Sequence, residues 1–169
     1  MKRQLIPAII VMLFTLPLYA QDSQQYDPCM PEDEIVKTHD TNFQNLANTF
    51  GKFSTKVEAT SDCKEIVAAI DSLVETLLMI EPPMMMVDRC PKSKKYLSKE
   101  ENKKVYADSM KKFQEENNRF NRNMTEIVKM KDCPQLGKAV KKLKLALQFI
   151  STHQEQHRQA IFDMNTDKK

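Results

Sequence analysis

The chain has 169 residues, with 26 Lys and Arg interspersed among 23 Asp and Glu, a balance that gives no basic face for nucleic acid. It holds only two glycines, Gly51 and Gly137, and 41% hydrophobic residues without β-branched alternation, so a sheet-rich fold is excluded and an all-α protein is expected.

Residues 1–20 read as a secretory signal. Lys2 and Arg3 form a basic start, Leu5 to Leu18 an apolar core, and Leu18-Tyr19-Ala20 a small-residue cleavage site before Gln21. No Cys follows the cleavage point, so no lipid anchor is expected. The apolar run is too short for a retained membrane span, and no second candidate span exists. The expected location is periplasmic or secreted. Residues 21–169 then carry 24 basic against 23 acidic side chains, a net +1, and are one domain in size. All four cysteines, Cys29, Cys63, Cys90 and Cys133, lie in this part, and an even count in an exported chain implies two disulfides. Without a C-x-x-C, redox-motif, zinc-ribbon and covalent haem-attachment readings fail.

Residues 21–30 form a polar arm ending near Cys29, and a bundle is expected over 31–163 with a charged tail at 164–169. The first helix, about 32–59, opens on Pro31 with Glu32, Asp33 and Glu34 against its positive end. Val36, His39, Phe43, Leu46, Phe50, Phe53 and Val57 form its apolar stripe. Asp62-Cys63-Lys64-Glu65 is a capping box that starts a second helix, about 62–80, with Ile66, Ile70, Leu73, Leu77 and Ile80 inward. Glu81-Pro82-Pro83 is expected to stop it, because proline cannot continue the hydrogen-bond ladder. A connector of about fifteen residues follows, containing Met84-Met85-Met86 and Cys90-Pro91. Ser98-Lys99-Glu100-Glu101 is a further capping box, opening a third helix at about 99–130 with Tyr106, Met110, Phe113, Asn117, Phe120, Met124 and Ile127 on one face. Asp132-Cys133-Pro134-Gln135 starts the fourth, about 133–162, whose stripe Leu136, Val140, Leu143, Leu147 and Ile150 runs on to His153, His157 and Ile161.

The second and fourth helices repeat one pattern. Asp62-Cys63 with Ile66, Ala69, Ile70 and Leu73 matches Asp132-Cys133 with Leu136, Ala139, Val140 and Leu143. Two helical hairpins in series imply an up-down-up-down antiparallel four-helix bundle. In that topology Cys63 and Cys133 share one end, and Cys29 and Cys90 the other, roughly 35–40 Å away at 1.5 Å per helical residue. A disulfide needs Cα atoms within about 7 Å, so the expected pairs are Cys29–Cys90 and Cys63–Cys133, on diagonal helices.

All three histidines fall on core-facing stripes. His39 and His153 both lie roughly 30 Å from the end where the second helix starts. With the first and fourth helices as neighbours the two face each other near the open end, His157 about one turn beyond. A neutral imidazole on such a face is either a hydrogen-bonded core residue or a ligand to a metal or haem.

From about Asn42 to Gln159 the chain resembles the cytochrome b562 family, soluble periplasmic b-type cytochromes. The likeness rests on the export signal, the long first helix, the short cap-turn at Asp62, the second helix ended by Pro82-Pro83, and the late pair His153-Gln154. The resemblance implies a non-covalent haem b near the open end, single-electron transfer and a redox protein partner, with His153 as one axial ligand. The family's other ligand, a Met early in the first helix, is not matched. Phe43 stands there, in Asn42-Phe43-Gln44-Asn45-Leu46, and His39 one turn earlier or His157 is the substitute the layout offers. The cysteines and the longer connector also depart from the family. The alternative is a haem-free binding or interaction module, with Phe43, Phe50 and Phe113 filling the space of a porphyrin.

Met84-Met85-Met86 beside Cys90 offers either a soft Cu(I) site or an apolar cover for one end of the core. Asn117 breaks the third helix's stripe, as a register device or a position tilted toward solvent. Asn123-Met124-Thr125 is a formal glycosylation sequon, and the pairs Lys103-Lys104 and Lys141-Lys142 are expected on solvated faces. No Glu-x-x-His, His-Glu-x-x-His, nucleophile elbow or phosphate-cradling glycine loop occurs, so catalysis is not expected.

Overall fold

The computed structural model describes residues 29–166. The expected signal, all but the end of the polar arm and the last three residues of the tail lie outside them. The described residues form six α-helices and no strand: α1 (Glu32–Glu58), α2 (Cys63–Asp88), α3 (Ser93–Leu97), α4 (Glu100–Ile127), α5 (Leu136–Thr152) and α6 (Glu155–Thr166). None is long and apolar enough to cross a membrane.

Helix α1 starts after Pro31 with three acids in its first turn, where they meet the positive end of the helix dipole. Asp62 caps α2 and forms one half of the expected capping box: its Oδ1 accepts the backbone N–H groups of Lys64 at 2.8 Å and Glu65 at 3.0 Å, while its own N–H donates to Thr60 Oγ1 at 3.0 Å instead of to Glu65. Two other caps differ. Ser98 lies in a helical conformation and closes α3, its hydroxyl donating to the Lys95 carbonyl at 2.9 Å. An N-cap needs extended backbone, so α4 begins after Lys99 without a side-chain cap. Around Asp132 the chain makes turns pinned by Cys133, and α5 starts only at Leu136.

Helix α2 does not stop at Pro82-Pro83 but continues to Asp88. Each internal proline removes one ladder hydrogen bond. Beyond them, however, the helical register carries Met84 against the main core and buries Val87 with Ile35 and Cys90. That apolar burial outweighs the two lost bonds. The expected long connector therefore shrinks to the bend at Arg89–Lys92 plus α3.

The fourth long helix is broken. His153 ends α5 in a left-handed conformation, φ 52°, its N–H donating to the Phe149 carbonyl at 2.7 Å, and α6 begins two residues later. Only this non-glycine residue among those described has positive φ, a conformation that costs energy and persists when its surroundings hold it.

Packing follows two parallel pairs. Along α1 and α4 the ties step in one direction: Lys99 Nζ to Glu32 at 2.6 Å, Ser109 Oγ to Asp40 at 2.5 Å, Lys112 Nζ to Asn48 at 3.2 Å, and Arg119 to Glu58. Between them runs a ladder of rings, Phe43 to Phe113 (5.6 Å), Phe113 to Phe50 (5.9 Å) and Phe50 to Phe120 (4.7 Å). Along α2 and α5 the same stepping runs from the Cys63–Cys133 bond through Lys142–Asp71 to His153–Glu81. Helix α1 also packs on α2, while α4 and α5 share no comparable seam. The first and fourth helices are thus not the neighbours the sequence implied; the first lies between the second and the third. Both expected disulfides form, Cys29–Cys90 with Cα atoms 4.9 Å apart and Cys63–Cys133 at 5.5 Å.

Lys142 corrects a further expectation. It is buried, at 5% exposure, and its ammonium donates to Asp71 Oδ1 at 2.8 Å. Four lysines within the seventeen residues of α5 hid which one points inward.

Candidate functional site

His39 and His153 do lie at one end of the molecule, both within the field of Asp88 at the end of α2, but each is held by different partners. His39 is half-buried on α1, its ring edge-on to Phe43 at 4.7 Å and to Tyr106 at 4.8 Å. Burial lowers its pKa from the ordinary 6.5, against the opposing fields of Asp88 and Asp40. The Tyr106 hydroxyl donates to the Leu97 carbonyl at 2.7 Å, fixing α3 beside these rings. Phe43 is committed to the same aromatic ladder.

His153 is clamped. Its Nδ1 lies 2.8 Å from Glu81 Oε1 and its Nε2 3.0 Å from Asp88 Oδ2. Glu81 is 5% exposed, so the imidazole is what satisfies a carboxylate taken out of water. The clamp ties the α5–α6 break to the last turns of α2 and explains how a left-handed histidine is held there. His157 is half-buried on α6, one turn further on.

In this arrangement His153, the expected axial ligand, is not free for a haem. Both ring nitrogens of His153 face carboxylate oxygens, which leaves no lone pair directed at an iron. His39 stands in an aromatic cluster and Phe43 offers no ligand atom. Two layout features behind the cytochrome b562 resemblance also change, since α2 runs through Pro82-Pro83 and the last helix breaks at His153. Among the described residues no group of three or more His, Cys, Asp or Glu side chains is placed to hold a metal ion. Met84 packs on the core, Met86 is exposed, and Cys90 is oxidised in its disulfide, so no Met-Cys thiolate pair assembles for Cu(I).

The structure instead opens where α4 and α5 separate. A groove of about 400 Å³ runs between them, floored by Phe120 and Met124 of α4 and by Val140, Leu143 and Leu147 of α5. Lys144, Gln148 and Ser151 form its polar edge, one face of α5 at helical spacing. Its volume falls in the range of small-molecule sites, about 300–1,000 Å³. A second, larger depression of about 620 Å³ crosses α1 between α2 and α4, its rim carrying Lys52, Lys56, Lys112 and Glu116. It is the more polar of the two. On the packed face of α1, Asn42 Oδ1 and Ser54 Oγ are buried without a hydrogen-bond partner.

Sequence reasoning took Phe120, Met124, Val140 and Leu147 as core stripe and passed over Lys144. Periodicity reports which face is apolar, not whether a partner helix covers it. Compared with known proteins, the chain matches no family model, no curated protein and no solved structure.

Proposed function

We propose that this chain is an exported, cystine-stapled helical binding module that holds a small apolar ligand in the groove between α4 and α5. In this reading α1, α2, α4 and the α5–α6 rod are the four rods of an up-down-up-down bundle, and the module is non-catalytic. One observation carries the reading: an apolar slot lined by Phe120, Met124, Val140, Leu143 and Leu147 stays open between α4 and α5, with far less polar lining than the larger depression across α1. Export is supported by the sequence of residues 1–20 and fits two disulfides, which persist in oxidising compartments. Eight residues line the groove, fewer than the roughly 20–30 per side of a stable protein interface, and this favours a small molecule over a partner chain. The test is fluorescence of the neutral probe N-phenyl-1-naphthylamine. Saturable binding by the oxidised protein, weakened by Leu147→Gln and Met124→Gln with helical content retained, is the expected result. No binding, or binding indifferent to both substitutions, refutes the groove.

A cytochrome b562-like electron carrier, with haem held by His153 and His39 or His157, is the second reading. It is favoured by one fact, that Asp88 acts on both His39, through its charge, and His153, through a hydrogen bond. It requires the His153 ring to leave Asp88 before an axial nitrogen is free. A hemin titration separates the readings: sharp reduced-state bands lost in His153→Ala favour the carrier, and an unchanged hemin spectrum removes it.

A further inference from the structure

We infer that the groove selects a single-chain amphiphile with an anionic head, of the fatty-acid carboxylate class, and that Lys144 is the residue that reads the charge. This rests on the groove being a ligand site and adds the chemistry of what enters it. The first ground is the division of α5. Val140, Leu143 and Leu147 present an apolar line to Phe120 and Met124 across the slot, while Lys144, Gln148 and Ser151 follow one edge of that line. From Val140 to Ser151 α5 advances about 16 Å at 1.5 Å per residue, a length suited to an extended chain of about a dozen carbons. A ligand lying there has its tail on the apolar line and its head at the edge.

The second ground is charge. Helix α5 has the sequence LGKAVKKLKLALQFIST, four lysines and no acid, and only Lys142 is neutralised, by Asp71. The facing stretch of α4, Asn117 to Thr125, also carries no carboxylate while contributing Arg119 and Arg122. Arg119 is taken up by Glu58 and Glu116 on the far side. Lys144 has neither a hydrogen bond nor an ion pair among the described residues, and it stands one residue from Leu143 at the slot. The side-chain amide of Gln148, one turn on, is a second donor on the same edge. An ammonium unpaired beside an apolar slot, with no acid on either wall, favours a carboxylate head over a neutral or cationic one.

The experiment uses the oxidised chain without its signal. Dodecanoate, dodecanol and dodecylamine, each below its micelle concentration, displace N-phenyl-1-naphthylamine at pH 7.5. Dodecanoate is expected to bind about fivefold tighter than dodecanol, the scale of a partly exposed ion pair, with dodecylamine weakest. Lys144→Gln brings dodecanoate to the level of dodecanol, whereas Lys138→Gln, about 120° round the same helix from Lys144, keeps the preference. Equal affinity for dodecanoate and dodecanol, or a preference that survives Lys144→Gln, overturns the inference and leaves the groove standing. If none of the three displaces the probe, the groove reading itself fails. Circular dichroism of each variant shows that the helices persist, since Lys144 is exposed and ties nothing together.

Discussion

Helix α4 has two edges, and they have been put to opposite uses. Toward α1 it meets a parallel partner through a ladder of phenylalanine rings flanked by Lys99–Glu32, Ser109–Asp40 and Arg119–Glu58. Toward α5 it presents Phe120 and Met124 to a slot that no side chain among the described residues fills. Phe120 belongs to both, stacked on Phe50 at one face and flooring the groove at the other. The lesson is that an apolar stripe has a width. When a stripe is broader than one partner helix covers, the surplus becomes a surface available for binding, and the rigid seam beside it keeps that surface in shape.

The contrast can be broken from the outside first. Replacing Cys63 and Cys133 together by Ala frees the end where α2 and α5 meet. For a 70-residue separation the chain-entropy scale gives a loss of about 4 kcal/mol, measured by urea denaturation, and probe binding falls with it because one wall loses its anchor. Inside the seam, Phe50→Ala removes a buried ring with a stacking partner on either side and costs about 3–4 kcal/mol.

Between the walls, the Lys142–Asp71 pair gives an asymmetric result. Asp71→Asn leaves a buried ammonium facing a weaker acceptor and costs about 2 kcal/mol, tempered because Asp71 is 35% exposed. Lys142→Met leaves a carboxylate that water can reach and is close to neutral. In the groove itself, Met124→Ala costs only about 1 kcal/mol, since one side of the residue already faces a void, yet it weakens the probe. A Met124→Ala loss as large as that of Phe50→Ala would erase the distinction between seam and slot.

The smallest effects come from pH and mark the two ends of the seam. His39 has its pKa lowered chiefly by burial, so the folded chain prefers the neutral ring. Its contribution is full above about 6.5 and is lost as pH falls through the lowered folded value. Glu58 is held down from 4.5 to about 2, first by the hydrogen bond from Arg119 and then by that from Asn123. Its contribution is present above about 4.5 and fades toward pH 2. Thermal melts across this range show two shallow limbs; His39→Gln flattens the upper and Glu58→Gln the lower.

Much of this architecture was legible in the residues. The Asp62 cap, the α1 stripe and both disulfide pairs follow from spacing, because a bridge tolerates little distance and the rods are long. Three features were not. Pro82 and Pro83 are local stop signals, overruled by the burial of Val87, which depends on where α1 begins. The break at His153 falls within an unbroken stripe, and its cause, a buried Glu81 needing a partner, sits 72 residues away. The groove was hidden because an uncovered apolar residue and a covered one look alike until the neighbouring helix is placed. Spacing along the rods put the histidines at one end, but it carries no information about the carboxylates and rings that occupy them.

The two disulfides interlock along the chain: Cys29–Cys90 and Cys63–Cys133 overlap between 63 and 90. Every peptide bond from residue 29 to residue 133 is therefore spanned by at least one covalent bridge. A protease that cuts once anywhere in that interval produces two pieces that cannot diffuse apart. Under non-reducing conditions such a nicked chain still migrates as one species, and only a thiol reductant releases its fragments.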